Sequence, residues 1–167
     1  MSKLFVDEIA SKTGTADALT IDSSGRVGLS NPILFWGQLS ATAPFAPTAS
    51  DLLSFSDYVD TASGWNSSNK YYVVPKAGYY EVHCMLLSNS QTTGLNIDFR
   101  INKNASLMAR GYTSVPANSY QPAVVTTIQP LAANDQISIQ VGNACEIWAG
   151  TPSGSPNVSS LSIKFLG

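Results

Sequence analysis

Along most of the chain, hydrophobic and polar residues alternate with a period of two. Leu95, Ile97, Phe99 and Ile101 fall on one side of a segment whose other side holds Asn96, Asp98 and Arg100. Ile137, Ile139 and Val141 repeat the pattern, and the chain closes with Ser159, Leu161, Ile163 and Phe165 set against Val158, Ser160, Ser162 and Lys164. That period belongs to a β-strand with one buried face, and no stretch of about ten residues sustains the i, i+3, i+4 spacing of an amphipathic helix. Further strands are predicted over residues 33–39, 52–55, 58–59, 107–112, 121–128 and 145–149. Turns rich in Gly, Pro, Asn and Asp separate them, including residues 102–104 and 130–135. Short strands recurring at intervals of about ten residues specify an all-β chain, an antiparallel jelly-roll β-sandwich.

The stretch KYYVVPKAGYYEVHCMLL, residues 70–87, makes the strongest demand on the fold. It reads as two strands, 71–74 and 79–87, where Pro75 ends one ladder and Gly78 permits the bend into the next. In the second strand Tyr80, Val82, Cys84 and Leu86 point one way, and Tyr79, Glu81, His83, Met85 and Leu87 point the other. Both faces are largely apolar. One face needs a second sheet, and the other needs a neighbouring subunit.

Residues 1–31 differ from the rest: they hold seven of the twenty charged side chains and no aromatic residue except Phe5. ALTIDSSGRVGL, residues 18–29, reads as a hairpin turning at Asp-Ser-Ser-Gly. A lone hairpin is marginally stable, so this segment is expected to serve attachment or oligomerisation, ahead of a β-sandwich domain over residues 32–167. ALTIDSSGRVGLSNP also resembles a short element of tailed-phage fibre and appendage proteins, of the form hydrophobic-Thr-Ile-Asp-x-x-Gly-x-Val-Gly-hydrophobic.

At 167 residues the chain holds one well-packed domain plus a short appendage. Charged residues make up only 12%, so the polar surface is carried by Ser, Thr, Asn and Gln. A net charge of -2 with scattered Lys and Arg offers no field for nucleic acid. Asp7 and Glu8 stand where a signal peptide would have its apolar run, and no segment approaches the ~18 apolar residues of a membrane-spanning helix. The expectation is a protein made in the cytoplasm, with no membrane insertion. Cys84 and Cys145 form no metal-type spacing. Cys84 reads as a small buried hydrophobe in preference to a disulfide partner or a nucleophile, and His83 points away from it.

The order of strands and landmarks resembles the globular head of complement component one q and its tumour-necrosis-factor-like relatives. The residues that carry the resemblance are a polar loop at Trp65-Asn66, then Val74-Pro75-Lys76-Ala77-Gly78 leading into Tyr79-Tyr80-Glu81-Val82. Later come Leu131-Ala132-Ala133-Asn134-Asp135-Gln136-Ile137 and the Ser-rich final strand, residues 159–167. Asn134 stands where the family has glycine, Glu81 and Val82 replace two aromatic residues, and no collagen-like tract precedes the domain. The resemblance implies a compact homotrimer. Tyr79, Glu81, His83, Met85 and Leu87 are then the candidate trimer-interface residues, and loops 60–69, 112–120 and 150–156 are free for recognition. Some members bind calcium at the trimer apex, but Asp57, Asp60, Asp98 and Asp135 are isolated acids, and no metal or cofactor is expected.

Together these features predict a structural virion protein of a tailed phage. Residues 1–31 would join other virion proteins, and a trimeric fibre or spike head would contact the host surface, a saccharide or a protein. Trp65, Asn66, Tyr112 and Tyr120, set among Ser and Asn, are the candidate receptor contacts. A capsid decoration or head-fibre protein fits the same features. From other classes, a polysaccharide-degrading appendage would need two carboxylates across a cleft, for which Asp57 and Asp60 are the only close loop pair. A cell-encoded lectin-like module would rest on the domain resemblance alone. No Gly-x-Ser-x-Gly, Ser/His/Asp set or nucleotide loop is present, so no catalytic residue is expected.

Overall fold

The computed structural model describes residues 8–10, 17–21, 24, 27–28, 33–41, 45–90, 94–148 and 159–167. The chain divides into two compact units, Met1–Pro32 and Ile33–Gly167. The first unit contains a small antiparallel sheet of β1 (Glu8–Ala10), β2 (Asp17–Ile21) and β3 (Val27–Gly28), in the order β1-β2-β3. Thr20 pairs with Gly28 and Ile21 with Val27, the hairpin expected at this point, although most of its turn lies outside the described residues. β1 is an addition. With three residues it is too short for alternation to reveal it, and it pairs through Glu8 to Thr20 and Ile9 to Leu19.

The second unit is the expected jelly-roll sandwich. Its strands are β4 (Leu34–Leu39), β5 (Phe55–Asp60), β6 (Trp65–Asn66), β7 (Tyr71–Val73), β8 (Gly78–Ser90), β9 (Leu95–Lys103), β10 (Ser106–Val115), β11 (Ser119–Leu131), β12 (Gln136–Val141) and β13 (Ser160–Phe165). They form two five-stranded antiparallel sheets, sheet I in the order β10-β9-β12-β7-β6 and sheet II in the order β11-β8-β13-β4-β5. Between the sheets lie Tyr72, Ile97, Phe99, Ile101, Ile137 and Ile139 from sheet I and Phe35, Tyr80, Val82, Cys84, Leu86, Leu161 and Ile163 from sheet II, all with no exposed surface. Each such side chain stabilises the fold by about 1.5–3 kcal/mol through its removal from water.

The bend between β7 and β8 transfers the chain from sheet I to sheet II. Gly78 takes φ +152°, and a Cβ there would strike the ring of Phe165 and the carbonyl of Gly167. The bend is fastened from the core side. Tyr80 Oη donates to the Lys76 carbonyl at 2.9 Å, Phe165 packs edge-on against Tyr80 at 5.1 Å, and Lys76 Nζ lies 3.9 Å above the Phe165 ring. Pro122 and Pro130 sit in β11, an edge strand, where a missing N–H need not break a ladder.

Several predicted boundaries move. The strand expected over residues 52–55 is only a single bridge, Leu52 to Gln140, and β5 runs unbroken from Phe55 through Tyr58 and Val59. The strand expected over 145–149 is reduced to bridges from Ile147 to Phe45 and Ser88, with Ala149 outside the described residues. Its place is set by β8: β13 pairs only as far as Met85, and Trp148 N–H donates to the Leu87 carbonyl at 2.7 Å to continue that edge. β9 extends through Lys103, so the turn predicted at 102–104 is instead the two-residue turn Asn104–Ala105.

Asn104 has φ 51° and Ala105 φ 64°, the left-handed pair of a type I′ turn. Asn tolerates this conformation, whereas Ala carries a Cβ strain of about 1–2 kcal/mol. Ala105→Gly should therefore raise stability by about 1 kcal/mol after the added unfolded-state entropy of glycine is subtracted, or a few °C in Tm. A thermal melt showing no gain or a loss would contradict the strained turn.

Candidate functional site

The two outer faces of the sandwich differ in chemistry. On sheet II the outward residues follow from register, because directly paired residues share a face. Across β11 and β8, Val124 pairs with Met85, Thr126 with His83, Ile128 with Glu81, Pro122 with Leu87 and Pro130 with Tyr79. Across β8, β13 and β4, His83 continues to Ser162 and Trp36, and Glu81 to Lys164 and Leu34. Tyr79, Val124 and Ile128 are 58%, 49% and 55% exposed, and on β5 Tyr58 is 63% exposed with its ring 5.1 Å from Trp36. His83 Nδ1 and Thr126 Oγ1 are 2.8 Å apart, a polar bond on a face that also carries Glu81, Ser162 and Lys164 among its apolar groups. The five residues expected at a subunit interface, Tyr79, Glu81, His83, Met85 and Leu87, all lie on this face.

Sheet I presents the opposite surface. Asp98 is 6% exposed and accepts two hydrogen bonds from Arg110, from Nε at 2.6 Å and Nη2 at 2.7 Å. This pairing raises the Arg110 guanidinium pKa further, first through the hydrogen bonds and then through the charge of Asp98. Arg100, on the same face of β9 two residues along, stands 4.0 Å from the Asp98 carboxylate. Arg110 wins because β10 carries it diagonally across from Asp98 with its planar fork aligned to the carboxylate. Gly142 lets the β12 end approach: its N–H donates to the Asp98 carbonyl at 2.7 Å, and any Cβ would collide with the carboxylate.

Beside this pair the same face hollows into an open groove of about 340 Å³. Its floor is Asn102 of β9 and Ser138 of β12, which stand opposite each other in register and are 4% and 8% exposed. Tyr71 and Gln136 line one end, Ser50, Leu52 and Gln140 the other, and Ala105 of the strained turn forms part of the rim. The amide orientations are fixed by a chain of bonds. Gln140 Nε2 donates to the Ser50 carbonyl at 3.2 Å, so its Oε1 accepts from Asn102 Nδ2 at 3.1 Å. Nothing in the local sequence singles out this cluster. The signal was the all-polar side of β9 and β12, which periodicity presents as ordinary solvent face.

The expected receptor contacts do not converge. Trp65 is half-buried, stacked on Phe35 at 5.1 Å and edge-on to Phe55 at 5.9 Å, with a buried indole N–H that has no partner among the described residues. The expectation of an exposed Trp65 is corrected: β6 joins sheet I, and its ring caps the core. Asn66 builds the local turn, its Oδ1 accepting from Asn69 N–H at 2.9 Å and its carbonyl from Lys70 N–H at 2.7 Å. Tyr112 is 59% exposed on the outer face of sheet I, opposite Asp98. Tyr120 belongs to β11 of sheet II and lies edge-on to Trp148 at 5.7 Å. Only Pro116, Ala117 and Asn118 lie between β10 and β11, so the loop expected over 112–120 is largely strand, while loop 150–156 lies outside the described residues.

Asp60 uses both carboxylate oxygens on backbone N–H groups, Gly64 at 3.0 Å and Trp65 at 2.7 Å, so it braces a turn and does not pair with Asp57 across a cleft. Among the described residues no three His, Cys, Asp or Glu side chains converge on a point. Cys84 and Cys145 are free buried thiols; burial pushes Cys84 far up and Cys145 up to about 12, which suppresses thiolate chemistry.

These features define a tumour-necrosis-factor/complement-head jelly roll, and solved structures share it. Murine APRIL at pH 5.0 aligns with 81% of this chain and 99% of its own at TM-score 0.60 and 13% identity. Eiger TNF from S. frugiperda aligns with 82% of this chain and 94% of its own at TM-score 0.64 and 10% identity. The globular domain of zebrafish complement 1qA protein aligns with 80% and 95% at TM-score 0.57 and 10% identity. At these identities the likeness is one of fold. No protein-family model matches the sequence, and no curated protein matches it.

The turn that follows β11 is held by one carboxylate. Asp135 accepts from Ala132 N–H at 2.8 Å and from Asn104 Nδ2 at 2.7 Å, with Lys103 Nζ at 3.9 Å, and in that order these depress its pKa below 3.8. A carboxyl depressed on folding stabilises the protein above its unfolded pKa, and that contribution is lost as pH falls through the folded value. The urea midpoint should drop on acidification below 3.8, and Asp135→Asn should show a smaller drop. Identical pH profiles for the two proteins would contradict the assignment.

Proposed function

We propose that this chain is a non-catalytic structural protein of a tailed-phage particle, a homotrimeric head borne on a small attachment module. The observation that carries the trimer is the unevenness of the two outer faces. Among the described residues, sheet I exposes only Leu107 and Tyr112 of its large hydrophobics, both on its edge strand β10, whereas sheet II exposes Tyr58, Tyr79, Tyr120, Val124 and Ile128 on strands at both of its edges and on β8. An exposed apolar patch of this kind on a soluble domain marks an association surface. The face carries two apolar patches, Val124 and Ile128 on one edge strand and Trp36, Tyr58 and Val59 on the other side of a Ser- and His-bearing centre, and the threefold count is what the resemblance to complement-head and tumour-necrosis-factor-like domains implies.

The attachment role rests on residues 1–31, whose β2–β3 pairing matches the fibre-type hairpin suggested by ALTIDSSGRVGL. Its partners would be other virion proteins, and the site of action the virion surface. Recognition of a host-surface saccharide or protein would then fall to sheet I and its exposed Tyr112, because Tyr120 shares the face assigned to the trimer. The absence of a catalytic role is supported by the turn-bracing use of Asp60 and the raised thiols.

The native mass in solution should be three times 17.7 kDa. Val124→Lys with Ile128→Lys should bring it down to 17.7 kDa with the circular dichroism spectrum intact. A wild-type monomer, or a trimer indifferent to both lysines, would overturn the interface. Antibody labelling of intact particles should decorate them at tail or capsid, and unlabelled particles would overturn the virion role.

A further inference from the structure

We propose that the groove on the outer face of sheet I is a binding site for a neutral saccharide unit, separate from the subunit-facing surface of sheet II. Two groups on its floor have unspent hydrogen-bonding capacity. Gln140 fixes Asn102 so that its Nδ2 donates, which leaves Oδ1 of this groove-lining residue as an acceptor with no partner among the described residues. The Ser138 hydroxyl beside it likewise has no partner among the described residues, and the two residues are 4% and 8% exposed. Both atoms open onto the groove, where water satisfies them in the free protein and a ligand that replaces the water must supply matching hydrogen-bonding groups.

The lining selects the ligand class. No charged side chain lines the groove, so a formal charge on the ligand would find no counter-ion there. An acceptor from Asn102, a donor-acceptor from Ser138 and the amide of Gln136 match groups that both give and take hydrogen bonds, which hydroxyls do. The Tyr71 ring, Leu52 and the Ala105 methyl supply an apolar wall of the kind on which the C–H face of a sugar ring packs. At about 340 Å³ the groove lies at the small end of the range of roughly 300–1,000 Å³ for ligand sites, the scale of one or two sugar rings. Gln140 spends its Nε2 on the Ser50 carbonyl and its Oε1 on Asn102, so it holds the site's shape while the other polar groups bind.

The experiment is a titration of the ¹⁵N-labelled full chain with D-glucose, D-galactose, D-mannose and N-acetyl-D-glucosamine in turn, with D-glucuronate and a neutral Gly-Ser peptide as controls. At least one neutral sugar should shift the amides of residues 50–52, 102–105 and 136–140 saturably. Its Kd should rise about fivefold in Ser138→Ala, from the loss of one hydrogen bond, and further in Tyr71→Ala, while both variants keep their folded spectrum. The proposal is overturned if no neutral sugar moves those amides, if the shifts are unchanged in whichever variant folds, or if only glucuronate or the peptide binds there. The site lies on the face not assigned to the trimer, so this result is independent of the native mass and of where the protein resides.

Discussion

β8 must be covered on every side, and the rest of the second unit is arranged to do it. β11 pairs along its whole length, while β13 and then the Ile147–Trp148 segment share its other edge. Its inward side chains, Tyr80, Val82, Cys84 and Leu86, are closed off by sheet I, and the bend at Gly78 makes this possible by moving the chain from one sheet to the other. Its outward side chains, half-buried at Glu81, His83, Met85 and Leu87 and exposed at Tyr79, have no second sheet over them among the described residues. A backbone saturated with hydrogen bonds and a side-chain surface only half removed from water leave side-chain association as the means by which this face gains further stability.

Sheet I answers the same geometric problem differently. Apart from Leu107 and Tyr112 on its edge strand its outer side chains are mostly polar, and it buries several of them beneath the segment that precedes β5, where Leu53 N–H donates to the Ile139 carbonyl and Ser50 N–H to that of Val141. Asp98 becomes tolerable there because Arg110 reaches it with two short bonds, and Asn102 because Gln140 does. The face stays in water, and the same overhang that buries Asn102 and Ser138 creates the groove. The proposed association and recognition surfaces thus lie on opposite faces of the sandwich.

Much of this was legible from the order of residues alone. Alternation in LNIDFRI, QISIQV and SSLSIKF gave strands with the correct buried side, and Pro75 with Gly78 marked the change of sheet. The one-residue alternation of 79–87 also separated the core residues from the outward five. What remained hidden depended on neighbours distant in sequence. Trp65 looks like a loop aromatic until Phe35 and Phe55 are brought beneath it, and Asp98 looks like the partner of Arg100 until β10 delivers Arg110. The turn at Asn104–Ala105 carries no glycine to mark its left-handed conformation, so the boundary was placed too early. The groove has no local signature, since Ser50, Tyr71, Asn102 and Ser138 come from four separated segments.

The central claim, that the outer face of sheet II is an interface and that of sheet I is not, is tested most directly by hydroxyl-radical footprinting of tyrosines in the native protein. Tyr58, Tyr79 and Tyr120 on sheet II and Tyr112 on sheet I are all between 55% and 63% exposed on a single chain, which makes Tyr112 an internal reference. Strong oxidation of Tyr112 with protection of the other three, lost on dilution or in the lysine double variant, is the result expected here. Equal oxidation of all four at every concentration would contradict it.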